Sequence, residues 1–369
     1  MSEPSPLFVT RFSLSARSAI GVQTELMMRD ITGAQHIYWE QRDFRRYSNS
    51  RRIENLLVSR FSPLRQHSAF GLSRRFWKND CLTDEGRKLV LAYKPRISSL
   101  YLAPLSISDV RRMTNIVEII DKPYVVHVWD ILTDDVKELQ TLINGSRKLY
   151  YLTEVMADKI WHPDMERLLF HRRASRVRAA PPDGCLRIAM IGDVTSYVDG
   201  VEVLTKAVKK LRALFDIKII YVGSWGNARR LPPHLLAQID RVGFLNTDDG
   251  RDVALANCNI AFLPGPEQSP ESNLRSKYSI PSRLLDYLAV GLPIVGAVHP
   301  VSATARLVRE LGLNADAICA TSSTVAEAIS RLSDAHQWTR SSDASLQAFD
   351  MLAASKPWEK LREALANLY

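Results

Sequence analysis

At 369 residues the chain is longer than the roughly 250–300 residues at which a single hydrophobic core stops growing, so two domains are expected. With 46% apolar and 24% charged residues it is not a disordered chain, and no apolar run nears the ~18–20 residues that a membrane helix needs. The net charge of +9 belongs to the first half: residues 1–180 hold 29 Lys+Arg against 20 Asp+Glu, and residues 181–369 hold 20 of each.

A basic surplus of that kind attracts phosphates, nucleic acid or an anionic lipid surface. No nucleic-acid-binding motif accompanies it, so nucleic acid is not expected as a partner. Residues 1–10 lack a basic start followed by an apolar stretch, which argues against a secretory signal. Cys81, Cys185, Cys258 and Cys319 stand far apart with no Cys-x-x-Cys, which reads as reduced core thiols of a cytoplasmic protein.

In chain order, residues 7–12 are expected as the first strand, followed by a loop over 13–20 and a helix near 22–31. Residues 36–39, 98–102, 124–129 and 149–152 read as further strands, with helices near 108–120 and 136–142. The stretch 45–94 is irregular and basic. Within it Arg74-Arg-Phe-Trp-Lys78 mixes cations with aromatics and fits either an anionic lipid surface or a cluster with Phe76 and Trp77 turned inward. Residues 172–184, rich in Arg, Ala and Pro, read as the linker between domains.

The second half alternates more cleanly. Strands are expected at 186–191, 217–222, 241–245, 259–264, 293–298 and 317–320. Helices are expected near 201–215, 232–239, 251–256, 282–290, 303–311 and 324–332. Short apolar runs alternating with helical periodicity predict an α/β class, with two tandem Rossmann-like doubly wound domains. Ligands of such sheets sit at the carboxyl ends of the strands, and two facing sheets would share an interdomain cleft.

The most informative stretch is Lys277-Tyr-Ser-Ile-Pro-Ser-Arg-Leu-Leu-Asp-Tyr-Leu-Ala-Val-Gly-Leu-Pro-Ile-Val-Gly296. Pro281-Ser282 has the chemistry of a helix start, with Ser282 as cap, and Gly291 with Pro293 that of a helix end. The first-turn N–H groups would attract an anion, and Lys277 or Arg275 upstream would neutralise a diphosphate. Ser282 and Asp286, four apart, share one helix face, from which Asp286 is placed to accept hydrogen bonds from ribose hydroxyls. His127 and Trp129 alternate on one strand face with Asp130 at its end. His127 reads equally as a cleft residue that deprotonates a hydroxyl or as a hydrogen-bonded core histidine.

This segment resembles the donor-binding motif of GT-B glycosyltransferases, especially glycosyltransferase family 4 (glycosyl transferases group 1). Members often read Pro-Ser-Lys, two or three residues, then Glu-Tyr-Leu-Ala, one residue, Gly, one residue, Pro. Here Arg283 stands for the Lys and Asp286 for the ribose-binding Glu. Ile191-Gly192 through Asp199-Gly200-Val201 resembles the first strand and glycine-containing loop of the nucleotide domain, and Val242-Gly-Phe-Leu245 the strand that meets the base. Ser13 to Gln23, with Gly21 opening a helix, is similar to the N-terminal loop beside the donor phosphates. Tyr124 to Asp130 is similar to the strand ending in a cleft-facing His or His-Asp.

The resemblance implies an acceptor-binding domain over 1–175, a nucleotide-sugar-binding domain over 185–350 and a last helix in 351–369 that crosses back. It implies donor contacts at Gly21, Gly192, Phe244, Leu245, Lys277, Ser282, Arg283 and Asp286, with His127 or Asp130 facing the acceptor. The expected activity is transfer of a sugar from a nucleotide diphosphate sugar to a glycan or lipid-linked hydroxyl, with the first domain at an anionic membrane surface. No His-x-x-x-His, Asp-x-Asp or Cys cluster supports a metal or other cofactor, so none is expected. The pattern also departs from the family. Asp193 and Asp199 lie where a basic pair is usual, and Tyr278 where a first Glu is usual. A non-catalytic sugar-nucleotide-binding or assembly protein on the same fold is the second reading.

Overall fold

The structure is a computed structural model. It describes residues 4–12, 24, 27–28, 31, 34–40, 68–72, 76–131, 136–169, 172–192, 194–223, 229–243, 248–265, 274–313, 315–318 and 321–368. Gly21, Arg74, Arg75, Phe244, Leu245 and Cys319 lie outside the described residues, as does most of the expected helix at 22–31. The chain divides into two compact units. The first comprises residues 1–170 with 356–369, and the second residues 171–355. Residues 172–184, expected as a linker, fall within the second unit.

In the first unit the strands are β1 Ser5–Phe12, β2 Gln35–Glu40, β3 Ser68–Gly71, β4 Trp77–Lys78, β5 Cys81–Leu82, β6 Ile97–Ala103, β7 Tyr124–Val128, β8 Lys148–Tyr151 and β9 Met165–Arg167. Seven of them form one sheet in the order β3-β2-β1-β6-β7-β8-β9, with every pairing parallel. All residues of β6 and β7 are buried. That is why both read as near-continuous apolar runs: a parallel strand is covered on both faces. Helix Ile107–Ile120 starts at the Ser106 cap, whose hydroxyl accepts the Asp109 N–H. Helix Pro357–Ala366 packs along β6 and β7 through buried Leu361 and Leu365, and Lys360 accepts the Tyr150 hydroxyl at its carbonyl.

The stretch 45–94 holds more structure than its sequence suggested. β4 and β5 form a hairpin whose two turn residues, Asn79 and Asp80, both have positive φ, as a two-residue hairpin turn requires. Asp80 anchors that turn by accepting from Ser108 Oγ at 2.6 Å and Arg112 Nε at 3.0 Å. Phe76 is buried and Trp77 half-buried against Trp39, with the Arg112 guanidinium over both indoles. The described aromatics of that motif are thus turned inward. Cys81 is exposed, which corrects its expected place in the core; Cys258 is buried.

In the second unit β10 Cys185–Ile191, β11 Asp216–Val222, β12 Ile239–Gly243, β13 Ile260–Pro264 and β14 Ile294–Ala297 form a parallel sheet in the order β12-β11-β10-β13-β14. Helices Val198–Leu211 and Ser322–Arg331 cover one face. There Val201, Leu204, Val208, Val325 and Ile329 pack with Ile188, Ile219 and Phe262. Each such buried aliphatic stabilises the fold by about 1.5–3 kcal/mol.

Two expectations are corrected in this unit, and one helix is added. Of the strand expected at 317–320, the described residues 317 and 318 instead end a 3-10 helix, Ala315–Ile318, beside β14, where the buried Asp316 carboxylate pairs with Arg331. The helix expected at 232–239 shrinks to Pro233–Leu236, since Ile239 joins β12 opposite Ile219. Helix Ala335–Ala354, absent from the expected elements, packs through Trp338, Phe349 and Leu352 and through serines: Ser342 Oγ donates to the Gly291 carbonyl at 2.6 Å and Ser345 Oγ to that of Leu292 at 2.8 Å.

Candidate functional site

In the second sheet the chain runs outward from β10 through β11 to β12, then returns to the other side of β10 for β13 and β14. β10 and β13 are therefore neighbours across the switch point, and the crevice beyond their carboxyl ends is where such sheets take ligands. Their pairing stops at Ala189 and Ala261. Above it the Tyr287 hydroxyl fills the gap, accepting the Ile191 N–H at 3.1 Å and donating to the Phe262 carbonyl at 3.0 Å. Burial raises the Tyr287 pKa and keeps the phenol protonated for that second bond.

Glycines let backbone close in around this crevice. Gly192, just after β10, has φ +83°, with nothing within 4 Å of where a Cβ would lie. A Cβ on Gly200, in the first turn of helix Val198–Leu211, would sit 2.7 Å from the Gly265 carbonyl oxygen. One on Gly265 would sit 2.5 Å from that of Ala297. A pocket opens here, lined by Tyr197, Pro264, Gly265, Ser276, Ser279, Pro281, Ser302 and Thr304 among others. The Arg283 guanidinium lies 5.0 Å over the Tyr197 ring, and the Lys277 ammonium 5.4 Å from that of Tyr278.

The helix expected from Ser282 is present as Arg283–Ala289, with Leu284 and Leu288 buried. Its start differs. Ser282 has helical φ and ψ and makes no side-chain capping bond, and the Leu284 and Leu285 N–H groups bond back to the Pro281 and Ser282 carbonyls. The tight turn uses two of the first-turn donors that were expected to hold an anion.

Asp286 is not a solitary carboxylate. Its Oδ1 accepts from Arg172 Nη1 at 2.7 Å and faces Arg251 Nε at 3.3 Å. Arg172 Nη2 also donates to Asp252 Oδ1 at 2.6 Å. The side chains of Arg172 and Asp252 are 7% and 5% exposed, and that of Asp286 18%. Sequence reasoning missed Arg172, because an Arg in a run of Arg, Ala and Pro reads as solvated linker; its partners lie 80 and 114 residues away.

In the first unit His127 is fully buried. Its Nδ1 accepts the Tyr101 hydroxyl at 2.8 Å, and its Nε2–H donates to the Leu168 carbonyl at 3.3 Å. The Trp129 indole N–H joins the chain by donating to the Tyr101 oxygen. Burial pushes the His127 pKa down to about 3. Both ring nitrogens are occupied inside the core, which is the core-histidine alternative. Asp130 is half-buried just past the end of β7. The switch point of this sheet, between β1 and β6, holds a carboxylate that sequence reasoning passed over. Asp109 accepts from the Trp39 indole N–H and the Leu105 N–H, both at 3.1 Å, with Arg11 3.9 Å away. Burial raises its pKa. Among the described residues no group of three or more His, Cys, Asp or Glu side chains is placed to hold a metal ion.

Residues 185–335 match the family model described as Glycosyl transferases group 1. No curated protein matches the chain. Among solved structures it is similar to trehalose-6-phosphate synthase OtsA, with a TM-score of 0.64 at 8% identity over 98% of this chain and 99% of that one. It is also similar to an alpha,alpha-trehalose-phosphate synthase (UDP-forming) from Burkholderia vietnamiensis, with a TM-score of 0.60 at 9% identity over 98% and 100%. An O-GlcNAc transferase mutant from Thermobaculum terrenum aligns with a TM-score of 0.54 at 16% identity over 99% and 68%. Residues 185–335 thus match a group 1 glycosyltransferase domain, and the two Rossmann-like units give the chain the GT-B fold.

Proposed function

We propose that this protein is a glycosyltransferase that transfers a sugar from a nucleotide diphosphate sugar to the hydroxyl of a glycan or lipid-linked acceptor, without a metal ion. The observation that carries the reading is the glycine-walled crevice at the β10–β13 switch point, inside the family-matched domain. The second unit takes the donor there. Lys277, Ser282 and Arg283 meet the diphosphate, Gly192 lets the backbone approach, and Asp286 accepts from the ribose. In the reaction the anomeric C–O bond breaks with its electron pair leaving on the diphosphate, and the acceptor oxygen bonds the anomeric carbon. The acceptor proton passes to a carboxylate, for which Asp130 is the choice in the first unit, since both nitrogens of His127 are already bonded.

A non-catalytic sugar-nucleotide-binding protein is favoured by one feature. Tyr278 stands where the family has its first Glu, and its side chain is buried. Incubation with labelled uridine, guanosine and adenosine diphosphate sugars, with and without chelator, tests the proposal. Release or transfer of labelled sugar unaffected by chelator is expected. Binding without turnover favours the second reading, and chelator-sensitive turnover removes metal independence.

The basic first half suits an anionic membrane surface, and among the described residues no helix is long and apolar enough to cross a membrane. Co-sedimentation with phosphatidylglycerol vesicles at low salt, lost at high salt, is expected. Its absence at low salt ends that part of the proposal.

A further inference from the structure

We propose that Arg172 is a positioning residue for the nucleotide ribose, its guanidinium fork holding Asp286 against Asp252 so that one carboxylate oxygen is kept for the sugar hydroxyls. The inference rests on the reading of Asp286 given under Proposed function, and adds a residue with no place in that reading.

The geometry is specific. The two terminal nitrogens of Arg172 reach carboxylates on different helices, Asp252 on Asp248–Ala256 and Asp286 on Arg283–Ala289. Only a planar fork spans two acceptors this way; a lysine supplies a single point of charge. The segment that carries Arg172 is irregular but pinned to the same unit, with the Ala179 N–H on the Val290 carbonyl at 2.9 Å and Asn259 Nδ2 on that of Ala180 at 3.1 Å. Arg251 reaches the Asp286 Oδ1 that Arg172 already holds, so both cations act on one oxygen. Asp286 Oδ2 has no partner among the described residues, and the side chain keeps a minor exposure.

Energetics argue that the network is more than a brace. Burying two carboxylates and a guanidinium costs about as much desolvation energy as their attraction returns, and apolar replacements are commonly at least as stable. What the arrangement does supply is orientation: a carboxylate with one oxygen fixed from two sides presents the other in one direction. A ribose with two vicinal hydroxyls is the ligand such an oxygen suits.

The test is the preference of the protein for a ribonucleotide over its 2′-deoxy form. Binding of uridine diphosphate and 2′-deoxyuridine diphosphate is measured by calorimetry, with the guanosine and adenosine pairs alongside, and the tightest pair is used. Wild type is expected to prefer the ribose form by about tenfold, the scale of a charged hydrogen bond. Asp286→Ala and the double variant Arg172→Met/Asp252→Asn should both bring the preference within about twofold, with affinity for the deoxy form little changed. The double variant removes opposite charges together, so no buried charge is left alone. Arg172→Lys, which keeps the charge and loses the fork, should show the same loss and serves if the double variant does not fold.

Loss of ribose preference in the Arg172 variants supports the proposal. If Asp286→Ala abolishes the preference while the Arg172 variants retain it, with only a lower melting temperature, Arg172 is a structural ion-pair member and the proposal is overturned. If Asp286→Ala retains it, or wild type binds none of the diphosphates, the reading of Asp286 itself fails and the inference falls with it.

Discussion

The Tyr287 hydroxyl accepts the Ile191 N–H at 3.1 Å and so takes the place of a strand at the point where β10 and β13 part. The same oxygen donates to Phe262, so one phenol satisfies a donor and an acceptor that the splayed strands leave behind. Tyr287→Phe should therefore leave two buried backbone groups unsatisfied. The expected cost is about 1–3 kcal/mol, read as a lower denaturation midpoint with an unchanged m-value. A variant as stable as wild type would show that the gap closes or hydrates without the hydroxyl.

Gly265 and Gly192 border the same crevice for different reasons, and alanine should separate them. At Gly265 the new methyl would meet the Ala297 carbonyl oxygen at 2.5 Å, and backbone must move. The expected loss is about 2–3 kcal/mol, in the range of core overpacking. At Gly192 there is open space, and only the φ of +83° is unfavourable, costing about 1–2 kcal/mol. Thermal unfolding of the two variants checks the order, and equal shifts would contradict it.

Acid should destabilise the first unit through its buried histidines. His36 and His127 both have pKa values pushed down by burial to about 3, from 6.5. Between those values the unfolded chain binds a proton that the folded chain does not. Stability therefore rises with pH across that window and is lost as pH falls below about 6.5. Each histidine contributes a slope of about 1.4 kcal/mol per pH unit well inside it. The raised pKa of Asp109 works with the opposite sign, because the folded form keeps its proton to higher pH. Urea denaturation at pH 7.5 and pH 5 should show the loss. His127→Gln should shrink it by about 2 kcal/mol, and an equal loss in that variant would show that His127 is not the group titrating.

Helix Ala335–Ala354 should answer to the loss of a hydroxyl as well as of apolar area. Ser345→Ala removes the bond to the Leu292 carbonyl beside the Gly291 turn, and is expected to cost about 1 kcal/mol. Ser345→Val should cost more, since Ser345 is buried and the added methyl groups must displace neighbours. Chemical denaturation of both checks it, and a stabilised Ser345→Val would mean the serine side is loosely packed.

Much of this protein was legible from the chain alone. Largely apolar runs such as 98–102 and 186–191 identify buried parallel strands because a strand covered on both faces is apolar at most positions, and that is a local property. The spacing from Lys277 to Gly296 located the candidate site for the same reason: a short helix between Pro281 and Gly291 is written within one turn at each end.

What the chain could not disclose depends on partners distant in sequence. Strand order places the crevice between β10 and β13, although two strands intervene in the chain. The helix after residue 335 does not stand out in the chain, since Ser341, Ser342 and Ser345 interrupt the buried face between Trp338 and Phe349, and two of them bond to the turn at Gly291. His127 has the composition of a catalytic residue, and only the packing of Tyr101 and Leu168 around it makes it part of the core. Arg172 and Asp286, 114 residues apart, meet only when the sheet has formed. The sequence by itself determined the local conformations and the supply of charged groups. The tertiary structure decided which charges are buried together and which atoms remain available to a ligand, because burial and pairing are properties of the folded interior that no short window of residues contains.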